Sequence, residues 1–460
     1  MTKNFKDYLK NNKTDIINFI IVLTVYMCFL VCYGVCICAD SGGYIRMISA
    51  REPVYPLFLA LNREIFGDEH YLTVVVFWQN LLMTFGVWWS VTYLKNTFKL
   101  KEWVSLMMIF VHFGVAFLCQ FAAGRASIYP NSILTEGITL SMWLIFMTLL
   151  WKVTEKKTVL STILPLLLAA LMMDTRKQMA VGYIVLVGTV ILCFIGIKGY
   201  FKKVLLIILF SILSVILAIC GTRLYNLALR GEFAQNTRDM NLVLTTTLYV
   251  ADKEDAKLIE EENVRQLFAD TMEILDEKEC NYSYAGKGWR ALEAHYNEHY
   301  DKITVDTTGP LFIEYAESLG FESGLEAEKE ADRMSSVIVK SLLADNIGTY
   351  LRVYAASMFN GFINSVAKRN ALLDYYALFI YMVYLAVLVF SLVNKNTRAR
   401  GFIGLSVAIA ILVNVGVTAA LIFCQTRYMI YNMALFYVAL ILMTAGLIED
   451  RFCKGGNSND

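Results

Sequence analysis

Residues 16–40 read IINFIIVLTVYMCFLVCYGVCICAD, an uncharged apolar run closed by one carboxylate, Asp40. A helix needs about 20 such residues to cross the hydrocarbon core of a bilayer, so 16–38 is expected to span. The run is too long for a cleaved signal peptide and has no small-residue cleavage site. The same pattern recurs at 71–94, 103–123, 132–151, 158–173, 179–197, 204–221, 371–393, 401–423 and 428–449. The expected architecture is therefore an all-α polytopic membrane protein of about ten transmembrane helices. The fifth span is short and is expected to tilt or to sit half-buried in protein. Composition agrees: of 460 residues 57% are hydrophobic and 18% charged, with mean hydropathy +0.52. A soluble chain carries about 25% charged residues. With 5 prolines, 27 glycines and a net charge of +1, collagen-like, low-complexity and nucleic-acid-binding classes are excluded. Eight of the 10 cysteines lie in or at the ends of apolar runs, where cysteine acts as a small hydrophobe.

Charge placement orients the spans. With both termini cytoplasmic, the inner connections hold 18 cations, mostly lysines such as Lys3, Lys95, Lys152 and Lys198. The outer short connections hold 7: Arg46, Arg51, Arg63, Arg125, Arg176, Lys177 and Arg427. An excess of cations marks the cytoplasmic side. Lysine dominates inside as a topology signal, whereas arginine dominates outside, where its planar fork suits phosphate. The exception to the short connections is 222–350, which holds 25 Asp/Glu and 13 Lys/Arg, a net of −12. Its helical spacing of Val264, Leu267, Phe268, Met272 and Leu275 predicts a small, mostly helical extracytoplasmic domain. Residues 346–366 are amphipathic and aromatic, as in an interfacial helix. Three parts result: a transmembrane module 1–221 with a first outer loop at 39–70, the acidic domain 222–350, and a transmembrane module 351–460.

Chemistry gathers on the outer side. After Asp40 come Ser41-Gly42-Gly43, Tyr44, Arg46, Arg51 and Glu52; Pro53, Tyr55 and Pro56 then lead into an apolar stretch too short to span. A carboxylate ending an apolar helix is costly unless it faces water or protein, so Asp40 is a functional candidate. Glu136, one turn inside the fourth span, needs a partner for the same reason. Asp174, Arg176 and Lys177 form a short polar turn, which also fits a solvated connection, and Arg125 and Arg427 also fit snorkelling anchors. His295 and His299 have i, i+4 metal-ligand spacing but no third ligand nearby, and Asn281-Tyr282-Ser283 matches a glycosylation acceptor.

Asp40, Tyr44 and the stretch Pro53-Val54-Tyr55-Pro56-Leu57-Phe58-Leu59-Ala60, with Phe66-Gly67, resemble the first outer loop of GT-C membrane glycosyltransferases. The likeness is to bacterial members akin to dolichyl-phosphate-mannose–protein mannosyltransferases and lipid A aminoarabinose transferases. Asn131 to Glu136 (NSILTE) resembles the start of that family's fourth span, and Gln425-Thr426-Arg427-Tyr428 the Arg-Tyr that opens a late span. The resemblance implies juxtamembrane helices in the first outer loop and transfer of a sugar from a polyprenyl-phosphate carrier to a cell-envelope glycan, lipid or protein acceptor. It implies residence in a bacterial-type cytoplasmic membrane. It makes Asp40 the catalytic base. Ser41 stands where mannosyltransferase-like members often carry Glu, so Glu52 and Glu136 are the candidates for a second carboxylate. Arg125, Arg176, Lys177 and Arg427 would clamp the lipid phosphate, and Tyr44 and Tyr129 would bond sugar or phosphate. Arg46, Arg51, Tyr55, Asp174 and Tyr428 complete the expected substrate-binding set. The resemblance leaves room for a divalent cation, because the departing phosphate needs positive charge and not metal in every case. Lipid-linked glycan polymerases or ligases share this phosphate chemistry. A flippase-type transporter instead calls for ionisable groups at mid-membrane and paired broken helices, and a non-catalytic scaffold calls for none.

Overall fold

The computed structural model describes residues 13–119, 127–368 and 371–456. In chain order the helices are α1 (Lys13–Tyr33), α2 (Ser41–Ile45), α3 (Val54–Phe98), α4 (Glu102–Leu118), α5 (Glu136–Lys156), α6 (Ile163–Met173), α7 (Val181–Cys193) and α8 (Tyr200–Arg230). Then come α9 (Asn241–Val250), α10 (Glu262–Glu277), α11 (Trp289–Ile303), α12 (Gly309–Ser318), α13 (Leu325–Leu342), α14 (Ile347–Asn364), α15 (Ala371–Val393), α16 (Arg398–Leu421) and α17 (Thr426–Gly456). Among the described residues extended pairing is limited to one isolated parallel bridge, Cys36 to Ser132.

Seven of these helices (α1, α3, α5, α8, α15, α16 and α17) are long and apolar enough to cross a membrane. The chain is a multi-pass helical membrane protein. Its exterior fits a lipid solvent: Leu205, Leu209, Leu213 and Leu217 form an exposed apolar stripe along α8, which water would not tolerate at that size. The other three expected spans fall on shorter helices. At 17, 11 and 13 residues, α4, α6 and α7 reach only about 26, 17 and 20 Å at 1.5 Å per residue. The chain is tightened into 3-10 turns before α6 (Leu160–Thr162) and between α6 and α7 (Lys177–Ala180), and Gly196 at φ 82° turns it after α7. The second expected span is the far part of α3, a 45-residue helix kinked at Gly67 with φ 73° and ψ 167°. Only glycine adopts that conformation freely. The kink leaves a helical segment from Val54 ahead of the longer part of α3.

The chain clusters into two compact units. The first runs through Tyr225 and takes in Ile363–Val413 and the residues from Met429 on; the second is Asn226–Phe362 with Asn414–Tyr428. The acidic insert thus shares its unit with residues 351–362 and 414–428, which the sequence had grouped with the transmembrane portion.

In the first unit α5 is the buried pillar, with Trp143, Phe146, Met147, Leu150 and Trp151 inaccessible. Its indoles find acceptors, Trp143 donating to Asn432 Oδ1 and Trp151 to Ser406 Oγ, each at 3.0 Å. Buried Trp is otherwise penalised for its unmet N–H. Lys95, counted among the topology lysines, is mostly buried and pairs with Asp15 at 2.6 Å and Glu102 at 2.9 Å. In the second unit Val264, Leu267, Phe268, Met272 and Leu275 all enter one core with Tyr296, Tyr300, Ile338 and Leu342. The 3.6-residue period predicted that face correctly. Ion pairs such as Arg333 with Glu261 and Glu330 cover its surface.

Candidate functional site

The site in the first unit starts from two strands of irregular chain held side by side. Cys36 N–H donates to the Asn131 carbonyl and Ile133 N–H to the Cys36 carbonyl, both at 2.9 Å. Ser41 Oγ accepts from Cys38 N–H and donates to the Ile133 carbonyl, both at 2.8 Å. Ser41 therefore fastens the residue next to it, Asp40, to the segment leading into Glu136. Beneath them lie two amides on the apolar helix α3. Gln79 accepts from Tyr55 OH at 2.8 Å and donates to the carbonyls of Pro130 and Ser132 at 2.8 and 3.1 Å. Asn80 donates to Asn131 Oδ1 at 2.8 Å. Unmet buried carbonyls cost free energy, so these amides fix where the 129–135 segment sits.

Asp40 and Arg51 meet across the short helix α2. Arg51 Nη2 lies 2.9 Å from Asp40 Oδ1, and its guanidinium carbon sits 4.6 Å from the Tyr44 ring centre. Gly43 permits the approach: a Cβ there would stand 3.0 Å from Arg51 Nε. About a third of the Asp40 side chain remains exposed, which leaves it accessible. A second pair lies alongside. Arg176 Nη1 is 2.8 Å from Glu136 Oε1 and donates to Thr135 Oγ1 at 3.0 Å, while Thr135 donates to Glu136 Oε2 at 3.2 Å. Glu136 is fully buried and the Arg176 side chain 12% exposed. Both pairs converge on Tyr44. Burial pushes its phenol above the ordinary value, with Arg51 and Arg176 opposing the shift and Glu136 and Asp40 adding to it.

Other expected residues take distinct places. Tyr55 is buried, its ring 5.3 Å from that of Tyr44. Glu52 is half-buried and near enough to act on both Arg51 and Asp174. Arg46 is exposed and returns its Nε to the Gly42 carbonyl at 3.2 Å, and Lys177 is exposed. Tyr129, expected to face sugar or phosphate, is instead 2% exposed and lines a small apolar cavity of about 40 Å³ with Met83, His112 and Leu140. Arg427 and Tyr428 belong to the second unit, where the Tyr428 carbonyl accepts from Asn414 at 2.8 Å. Arg125 lies outside the described residues, as do Lys3, Lys6 and Lys10. A second cavity, of about 530 Å³, lies in the second unit and is lined by Asp252, Asp255, Lys253 and Asp276. Neither cavity is lined by Asp40, Arg51, Glu136 or Arg176.

Among the described residues no group of three or more His, Cys, Asp or Glu side chains could hold a metal ion. Asp40 and Glu136 each face a guanidinium, a setting that does not fit a resident divalent cation. His295 and His299 stack on α11 at 4.1 Å between ring centres, and both nitrogens of His295 are engaged, by Tyr249 OH and the Glu279 carbonyl. Sequence reading missed Gln79 and Asn80. The signal available was two adjacent amides inside an apolar span, where an unpartnered polar group is expensive. Comparison with protein-family models, with curated proteins and with solved structures returns no match to this chain.

Proposed function

We propose that this protein is an integral-membrane glycosyltransferase of GT-C type, moving a hexosyl or pentosyl group from a polyprenyl-phosphate carrier to an extracytoplasmic cell-envelope acceptor. The observation that carries the proposal is the Asp40–Arg51 pair, standing beside Glu136–Arg176 around one tyrosine. In this mechanism Asp40 takes the proton of the acceptor hydroxyl or amine as that atom attacks the anomeric carbon, a role that needs hydrogen-bond reach and access. Arg51 orients the carboxylate through their 2.9 Å pair. Arg176, with Lys177 on the same turn, meets the charge that develops on the departing phosphate, where prepositioned cations act most strongly. The GT-C fold, ten spans, cytoplasmic termini and an extracytoplasmic 222–350 domain belong to the same proposal. They let the carrier's tail stay in lipid while its phosphate reaches the arginines. A polymerase or ligase would use the same residues on a lipid-linked acceptor. The ionisable residues of the site sit at helix ends, unlike the mid-membrane placement that transport requires. The test is transfer from polyprenyl-phosphate sugars in reconstituted membranes, comparing the parent with Asp40→Asn. Full activity in the variant removes Asp40 as base.

A further inference from the structure

We propose that Asp174 is the general acid of this reaction, handing its proton to the lipid phosphate as the sugar departs. The inference rests on the transferase reading above and adds a second proton-handling group to it.

Asp174 ends α6 and opens the turn that carries Arg176 and Lys177. Its carbonyl accepts from Val54 N–H at 3.0 Å, which ties it to the start of α3, three residues past Arg51. Its Oδ1 accepts from Thr222 OH at 3.3 Å, and its Oδ2 lies against Gly221, where a Cβ would stand 3.1 Å away. The groups facing it are Thr222 and Gly221 of α8, Glu52 ahead of α3, and Tyr183 of α7, which feels its charge. None of these is a cation. Among the described residues no ion pair reaches Asp174, whereas Asp40 and Glu136 each face an arginine. Burial pushes the Asp174 carboxyl up to about 7, with the Thr222 hydrogen bond restraining the shift and Glu52 adding to it. Asp40 faces a guanidinium and, among the described residues, Asp174 faces none, a contrast of surroundings of the kind that separates a base from an acid.

The chemistry balances. The bond from the anomeric carbon to the phosphate oxygen breaks, and its electron pair stays on that oxygen. The lipid phosphate monoester so formed has a second ionisation near about 6. An acid titrating close to neutrality is matched to it. The Asp174 O–H bond breaks and the phosphate gains the proton. The acceptor's proton passes to Asp40 while the acceptor atom bonds to the anomeric carbon. Asp40 has gained one proton and Asp174 has lost one, and exchange with water restores both.

The test uses the full chain in nanodiscs. In the parent, transfer falls as pH rises, with a midpoint near the value of about 7 for Asp174. Asp174→Asn loses that alkaline limb and about 10²–10⁴-fold in rate. Thr222→Val removes the bond that favours the ionised form, so its limb moves to higher pH with transfer retained. Limbs unchanged in both variants overturn the assignment, and Thr222→Val alone decides should Asp174→Asn fail to fold. A second measurement needs no turnover: polyprenyl monophosphate binding between about pH 6 and 8, matching the phosphate ionisation. The parent loses affinity more steeply than Asp174→Asn. Equal slopes overturn the general acid and leave the transferase standing. A parent that neither binds polyprenyl monophosphate nor transfers from any polyprenyl-phosphate sugar overturns both.

Discussion

Replacing Arg176 by methionine removes the cation 2.8 Å from Glu136, a carboxylate with no solvent exposure. Methionine keeps much of the arginine stem's volume, so the charge is the main change. Breaking a buried ion pair from one side costs about 3–5 kcal/mol, because the remaining charge stays desolvated. At about 1.4 kcal/mol per factor of ten, that is roughly a hundred- to several-thousandfold in the folded fraction. The companion variants are Glu136→Gln, which removes the opposite charge, and the double variant. Glutamine can still accept from Thr135, which donates to Glu136 at 3.2 Å. The double variant is therefore expected to regain at least half of what Arg176→Met loses. Reversible unfolding in mixed micelles, followed by circular dichroism, gives the cycle's coupling energy. Arg176→Met within about 1 kcal/mol of the parent, or losses that simply add, would refute the reasoning.

Gly43→Ala is expected to lower transfer while leaving stability nearly intact. The new Cβ would meet the flexible Arg51 side chain at 3.0 Å and push it away from Asp40; unchanged turnover with a normal melting curve counts against this. Phe268→Ala empties a fully buried position in the core of the second unit and should cost about 3–5 kcal/mol; protease susceptibility of residues 226–362 reads it out. Asp332 in that unit has its carboxyl raised by burial from 3.8 to about 6, with backbone N–H groups of Arg238, Met240 and Asp239 opposing. A folded value above the unfolded one means stabilisation that is complete below about 4 and lost as pH rises through about 6. Asp332→Asn should accordingly gain relative to the parent between those values, measured as denaturant midpoints; a constant difference at both ends of the window argues otherwise.

Much of this was legible from local pattern. Long apolar runs marked helices α1, α3, α5, α8, α15, α16 and α17, because backbone groups in lipid must bond within their own segment. The period of Val264 to Leu275 marked the buried face of α10. Asp40 stood out as a carboxylate closing an apolar run, and Glu136 as one that had to find a partner. The pairing itself was not legible. Asp40 finds Arg51 and not Arg46, although both lie in the same loop, because the turn of α2 and the bare Gly43 bring the farther arginine back. Glu136 meets Arg176 forty residues on, and Asp174 meets Thr222 forty-eight residues on.

Tyr129 was misplaced for a related reason. Residue type suggested a sugar contact, but the 3-10 turn it occupies is held by Gln79 and Asn80 and directs the ring into an apolar cavity. The shortness of α4, α6 and α7 was likewise not legible, since hydropathy registers apolar content and not where a helix is interrupted. The amino-acid order alone determined that this chain enters a membrane, which stretches are helical and which residue types carry charge at helix ends, all properties of a few consecutive residues. The tertiary structure alone decided which acid faces which arginine and which carboxyl faces none. Those outcomes depend on packing between segments far apart in the chain, where a glycine or a buried amide sets distances that no local pattern encodes.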